Sequence, residues 1–190
     1  MSAVATLSPQ RHRLTVDQYY RMAEAGIFKE DDRVELIEGE IIDMSPIGID
    51  HAYVVKRLNS IFMQSVGMKA IVSVQDPIHL NPHSEPQPDI ALLRYREDFY
   101  RLAHPIPEDI ILLVEVSDTT LRYDKEIKLP LYARHGIPEV WIVDLEHGRL
   151  EVYRNPMEDN YLERHCPAKG ESIAPKGLPD CRVDLSSLIG

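Results

Sequence analysis

Basic charge is scarce in this chain: 21 lysines and arginines stand against 31 aspartates and glutamates, a formal net charge of −10. No basic run interrupts that balance. That balance counts against tight, nonspecific gripping of nucleic-acid phosphates, which a basic surface normally drives. It does not count against a carboxylate-lined site, because a bound cation reverses the local charge. Cysteine is scarce too. The two present, Cys166 and Cys181, form no CxxC pair, so free thiols are expected and a zinc centre finds no support. No apolar run approaches the roughly 18 residues that a membrane span needs. The opening stretch MSAVATLSPQ lacks the charged start and apolar core of a signal peptide. A cytoplasmic protein is expected, with a disordered lead over residues 1–13 and a single domain over 14–190. The Walker, GxGxxG and GxSxG patterns are also missing, which removes kinase, dehydrogenase and α/β-hydrolase readings.

What remains is an ordinary globular composition, 44% hydrophobic over 190 residues, enough for a substantial core without staples. Thr15 and Gln18 form a capping-box pattern that opens a helix running to Ala25, with Gly26 as its stop. Two β-rich runs, 33–37 and 40–44, flank Glu38-Gly39 and predict a hairpin. Val54, Val55, Leu58, Ile61 and Phe62 recur at helical spacing and predict a helix over 50–66, ended by Gly67. Residues 69–75 alternate as a strand. A turn-rich loop over 81–88 then delivers Asp89 into a short buried strand. Residues 94–107 read as a polar, partly helical excursion. Ile110 to Val116 is the most apolar run and reads as a central strand. A helix ends near Arg134, and Pro130 either sits in its first turns or kinks it. Residues 139–144 and 150–154 form a further hairpin. The rest is expected to be irregular apart from a short strand near 171–173. The pattern predicts an α/β fold, a mixed β-sheet flanked by helices.

The chemistry concentrates on two carboxylates. Asp89 follows a proline at the mouth of a buried strand, and Glu115 lies late in a strand that is otherwise apolar. Removing a carboxylate from water costs several kcal/mol unless something compensates it. Two such groups on neighbouring strands would find that compensation in a divalent cation, and Mg²⁺ prefers a few carboxylate oxygens with waters and a phosphate oxygen. The alternative is purely structural: Glu115 pairs with an arginine such as Arg122, and Asp89 caps a turn. Lys125 and Lys128, three apart on the following helix, share a face and could both reach back over the sheet end. Either could stabilise charge on a phosphate under attack, or both could be solvated. Glu35 is a further acidic candidate or a surface glutamate. His51 could bind a phosphate or cap its helix, and Gln75 could reach the same cleft. His79 and His83 are read as loop histidines.

The ordered set Glu35-Leu-Ile-Glu-Gly-Glu-Ile, His51, Pro88-Asp89-Ile, Glu115-Val-Ser, Tyr123-Asp-Lys-Glu-Ile-Lys128 and Gly136-Ile-Pro-Glu-Val-Trp-Ile-Val-Asp144 resembles the Uma-two family of restriction-endonuclease-like proteins. That family belongs to the PD-(D/E)XK nuclease-like superfamily, and the resemblance spans roughly residues 14–155. It implies a restriction-endonuclease-like core, a mixed sheet with helices on both sides, and Mg²⁺- or Mn²⁺-dependent hydrolysis of DNA phosphodiesters. By position, Asp89 and Glu115 resemble the metal-binding aspartate and glutamate of the motif, and Glu35 the additional acidic residue. The motif places lysine two residues after the glutamate, where this chain has Ser117. The resemblance implies that Lys128 supplies it from the following helix, with Lys125 as the second candidate. DNA is the implied partner, and a homodimer is the simplest way to cut both strands. The reading from another class is a catalytically silent nuclease-like module that binds nucleic acid or a protein.

Overall fold

The computed structural model describes residues 11–29 and 31–188, so most of the expected lead over 1–13 lies outside the described residues. Helix α1 (Val16–Glu24) opens on the expected capping box. The Gln18 N–H donates to the Thr15 hydroxyl, and the Thr15 N–H donates to the Gln18 side chain. Strands β1 (Val34–Ile37) and β2 (Glu40–Asp43) pair antiparallel. Glu38 and Gly39 join them with φ of 49° and 78°, the left-handed pair that a tight hairpin turn demands. A side chain at Gly39 is excluded on a second count, since a Cβ there would lie 2.6 Å from that of Arg13.

Helix α2 (Ile49–Val66) buries Val54, Val55, Leu58 and Phe62 of the predicted stripe and Val66 beyond it, while Ile61 is only partly buried against the same core. Strands β3 (Ala70–Val74), β4 (Ile90–Arg94), β5 (Ile110–Ser117), β6 (Glu139–Asp144), β7 (Arg149–Met157) and β8 (Asn160–His165) follow one another across a six-stranded sheet in sequence order. Every neighbouring pair is antiparallel except β5 and β6, which run parallel. A parallel step requires a crossover, and the helical segment between β5 and β6 supplies it. The fold is thus a mixed sheet flanked by helices, as expected from the sequence. Strands β9 (Ser172–Ile173) and β10 (Val183–Asp184) form a small separate ladder.

Residues alternate between two apolar layers along the central strands. Ile90, Leu92, Leu112, Val114, Trp141 and Val143 pack with α2 and the C-terminal segment. Ala91, Leu93, Leu113, Val140 and Ile142 pack with Leu131, Tyr132 and Ile137 on the opposite face. Glu115 has the parity of Leu113, so it points to this second face, toward the crossover helix.

The crossover differs from the single helix expected. It comprises α3 (Leu121–Tyr123), a π-helical turn over Asp124–Lys128 and α4 (Leu129–Arg134). Pro130 explains the widened turn. It has no N–H to give to the carbonyl four residues back, and its ring crowds that carbonyl. The Leu129 N–H reaches instead to the Asp124 carbonyl, five residues back. Strand β8 was expected to be irregular. It is an edge strand whose only buried residue is Tyr161, so it carries little apolar alternation. Both cysteines are free, Cys166 exposed and Cys181 buried. Among the described residues, no helix is long and apolar enough to cross a membrane.

Candidate active site

The antiparallel register pairs Ile90 with Val114, so one further step brings Asp89 opposite Glu115 at the end of the sheet. Asp89 is tied to both neighbours. Its Oδ2 accepts the Val116 backbone N–H at 2.8 Å, and its Oδ1 meets the Gln75 amide at 3.1 Å and His51 Nε2 at 3.0 Å. Burial opposes ionisation of Asp89, but the His51, Val116 and Gln75 contacts outweigh it and hold its pKa below the usual aspartate value. Gln75 reaches this position from the left-handed region, φ 56°, uncommon for a residue with a Cβ. Its own N–H donates to the Asp89 carbonyl at 3.1 Å. His51 comes from the first turn of α2, and its Nδ1 is buried without a hydrogen-bond partner.

Glu115 is buried against the crossover at the floor of the site. Its Oε1 accepts from the Tyr132 hydroxyl at 2.5 Å and from Lys128 Nζ at 3.3 Å. Lys128 Nζ also lies 3.1 Å from Glu35 Oε2, so one buried ammonium bridges two buried carboxylates. Glu35 accepts a second hydrogen bond, from the Gln87 N–H at 3.0 Å, because the 81–88 loop packs along β1. Its burial removes the surface-glutamate reading. Burial pushes the Glu115 carboxyl up to about 8; the Lys128 charge opposes this, and the nearby Asp124 and Asp89 charges add to it. Burial works against charge on Lys128, yet the surrounding carboxylates raise its pKa well above the usual lysine value.

The structural alternatives for the two acids do not describe what is found. Arg122 pairs with Glu126 on the exposed side of the helix, 3.0 Å away, and not with Glu115. Asp89 caps no turn but binds the backbone of the neighbouring strand. Glu35, His51, Gln75, Asp89, Glu115 and Lys128 all line one open cleft of about 320 Å³. Lys125 does not. Its ammonium turns to the buried Glu151 on β7, at 2.7 Å.

Several residues of the cleft region carry no expectation from the sequence, Asp124, Tyr132 and Arg33 among them. Asp124 is buried, lines the cleft and accepts from the Ser117 and Thr120 hydroxyls at 2.7 Å each. Ser117, at the position where the superfamily has lysine, therefore anchors the turn that carries Lys128. Asp124 and Lys128 are four apart, and that spacing was the available signal for Asp124. Tyr132 looks like a core aromatic in sequence, and only its hydroxyl contact with Glu115 reveals more. Arg33, the residue before β1, also lines the cleft.

The mixed sheet with flanking helices defines a restriction-endonuclease-like core. The chain belongs to the Uma2 family, whose model, described as "Putative restriction endonuclease", matches residues 16–186. Among solved structures it is similar to a putative nuclease belonging to DUF820 from Anabaena variabilis. The TM-score is 0.70 at 17% identity, over 92% of this chain and 97% of that one, a likeness of fold. Comparison with curated proteins gives no match.

Proposed function

We propose that the protein is a Mg²⁺- or Mn²⁺-dependent endonuclease that hydrolyses DNA phosphodiester bonds, with Asp89 and Glu115 as the metal-binding carboxylates. The observation that carries this reading is a deficit of positive charge. Four buried carboxylates, Glu35, Asp89, Glu115 and Asp124, gather around a single buried lysine at an open cleft. Buried acids in that excess call for a cation. The donor set is all oxygen, which suits a hard divalent ion. Among the described residues no three His, Cys, Asp or Glu side chains converge as a ready ligand cluster, and Mg²⁺ asks for only one or two carboxylates beside its waters.

When bound, the ion supplies Lewis acidity at the phosphate and lowers the pKa of a coordinated water. The remaining roles belong to the chain. His51 and Gln75 keep the Asp89 carboxylate ionised and oriented. Tyr132 fixes Glu115. Lys128, locked in its charged form between Glu35 and Glu115, offers a positive charge to the phosphate oxygens as the transition state forms. Glu35 positions that lysine. The same reading extends to a cytoplasmic two-fold dimer, which would present one site to each strand of a duplex.

The test is plasmid nicking by purified protein in EDTA, Mg²⁺ and Mn²⁺, wild type beside Asp89→Ala. Nicking with metal only, lost in the variant, is expected; metal-independent or variant-insensitive nicking would sink the assignment. A catalytically silent module is the second reading, favoured by Ser117 at the motif-lysine position. Its signature is saturable binding of a labelled duplex by a wild type that nicks nothing under any metal.

A further inference from the structure

Six carboxylates line the cleft: Glu35, Asp43, Asp89, Glu115, Asp118 and Asp124. Lysine and arginine contribute two groups, Lys128 and Arg33, and Lys128 is already engaged by Glu35 and Glu115. Arg33 is different. Its guanidinium reaches the Ser45 carbonyl at a long 3.4 Å and makes no ion pair with a carboxylate of the described residues. Among the lysines and arginines that line the cleft, Arg33 is thus the one whose charge is not already engaged by a carboxylate of the described residues.

The strand geometry explains where it points. Met44 donates its N–H to the Arg33 carbonyl at 2.8 Å, which extends the β1–β2 ladder by one residue. Residues two apart on a strand face the same way, so Arg33 and Glu35 project together into the cleft, about 6.6 Å apart along the chain. Glu35 holds the lysine at the proposed reaction centre. Arg33 sits one step outward, half-exposed, at the rim.

We infer that Arg33 is a phosphodiester-binding residue of the cleft, taking the DNA phosphate next to the one that is cut. The inference rests on the nuclease reading above and names the group that admits a polyanion to an acidic site. A phosphate approaching six carboxylates is repelled until a fixed positive charge meets it. The guanidinium fork suits that role, since it donates two parallel hydrogen bonds to phosphate oxygens, which an ammonium does not. Gly48, which precedes α2 and provides no side-chain cap, lines the same cleft and leaves first-turn N–H groups without a side-chain partner. Arg33 carries the inference without them.

The experiment measures equilibrium binding of a short fluorescent DNA duplex across a salt series, in Ca²⁺ and in EDTA. Wild type is compared with Arg33→Gln, Arg33→Lys and Lys69→Gln. Lys69 is an exposed cation just past the far end of α2, about 27 Å along that helix from the cleft. Arg33→Gln should weaken binding about tenfold and lower the log–log salt slope by about one, the signature of one lost phosphate contact. Arg33→Lys should keep most of the slope but lose part of the affinity. Lys69→Gln should match wild type. Arg33 is half-exposed, so these variants are expected to fold, and circular dichroism checks that they do. Unchanged affinity and slope in Arg33→Gln, with nicking intact in the wild type, would overturn the inference and leave the nuclease reading standing. A wild type that neither binds the duplex nor nicks plasmid would overturn both.

Discussion

Two buried glutamates face the same crossover segment, and their surroundings are opposites. Glu151 on β7 is met by Lys125 at 2.7 Å, Arg149 at 3.0 Å, Arg164 at 3.0 Å and the Tyr153 hydroxyl at 2.5 Å. Burial works against its charge, but Lys125, Tyr153 and Arg164 outweigh it and hold its pKa below the usual glutamate value. Glu115 on β5 shares one lysine with Glu35, lies near Asp89 and Asp124, and is pushed up to about 8. Cations outnumber the acid at the first site, and acids outnumber the cation at the second. The first is complete as a piece of structure, and nothing need be added to it. The second carries acids in excess, and on the proposed reading a cation from outside completes it. A buried carboxylate in itself points nowhere; the sign of the leftover charge separates a structural cluster from a site.

Replacing each glutamate by its amide gives the sharpest contrast. Glu115→Gln is expected to bring plasmid nicking below detection while near-UV circular dichroism stays native. Glu151→Gln should leave the nicking rate per folded molecule unchanged. It should cost about 2–3 kcal/mol of stability, because three cations lose their shared partner. For a chain of this size that is a fall of roughly 5–10 °C in Tm. Full activity in Glu115→Gln, or lost activity in a stably folded Glu151→Gln, would erase the distinction between the clusters. The lysines come next. Lys128→Ala should slow nicking about a hundredfold, the scale for removing one charge from a developing transition state. Lys125→Ala should show up in Tm rather than in rate. The reverse order would move the lysine role to Lys125.

That divergence of the two lysines marks the limit of what the sequence reveals. The α-helical rule places Lys125 and Lys128 on one face, three residues apart. The π-helical turn closes over five residues instead of four, so positions three apart separate while positions four apart stay aligned. Asp124 and Lys128 consequently share the cleft, and Lys125 swings toward Glu151. Pro130 signals a disturbance but not which way the helix accommodates it. Elsewhere the local signals suffice. The Thr15–Gln18 box, the Glu38-Gly39 turn and the stripe of α2 all appear where propensity, turn chemistry and burial agree. They fail at β8, where an edge strand buries Tyr161 alone and its alternation is too weak to read. In the site, the residues that stand out are those whose chemistry clashes with their surroundings, Asp89 and Glu115 in apolar strands. Tyr132 escapes because a tyrosine in a core segment clashes with nothing, and Arg33 because a strand-edge arginine is ordinary until its missing partner is seen.

The smallest expected effect concerns pH and tests the sign of each cluster directly. Glu115 has a folded-state pKa near 8 against an ordinary 4.5, so between those values the folded chain holds a proton that the unfolded chain has released. Its contribution to stability is full below about 4.5 and is lost as pH rises toward 8. Glu151 is shifted the other way. Its contribution is present above the ordinary 4.5 and is lost as pH falls below it. Urea midpoints measured in EDTA from acid to mildly alkaline pH should therefore separate the variants. Relative to wild type, Glu115→Gln should gain stability progressively as pH rises above 4.5. Glu151→Gln should be most destabilised near neutrality and should approach wild type below 4.5. Differences running in the same direction for both variants would mean that Glu115 is as fully compensated as Glu151. The charge deficit would then not be a property of the cleft, and the case for a cation there would lose its physical basis.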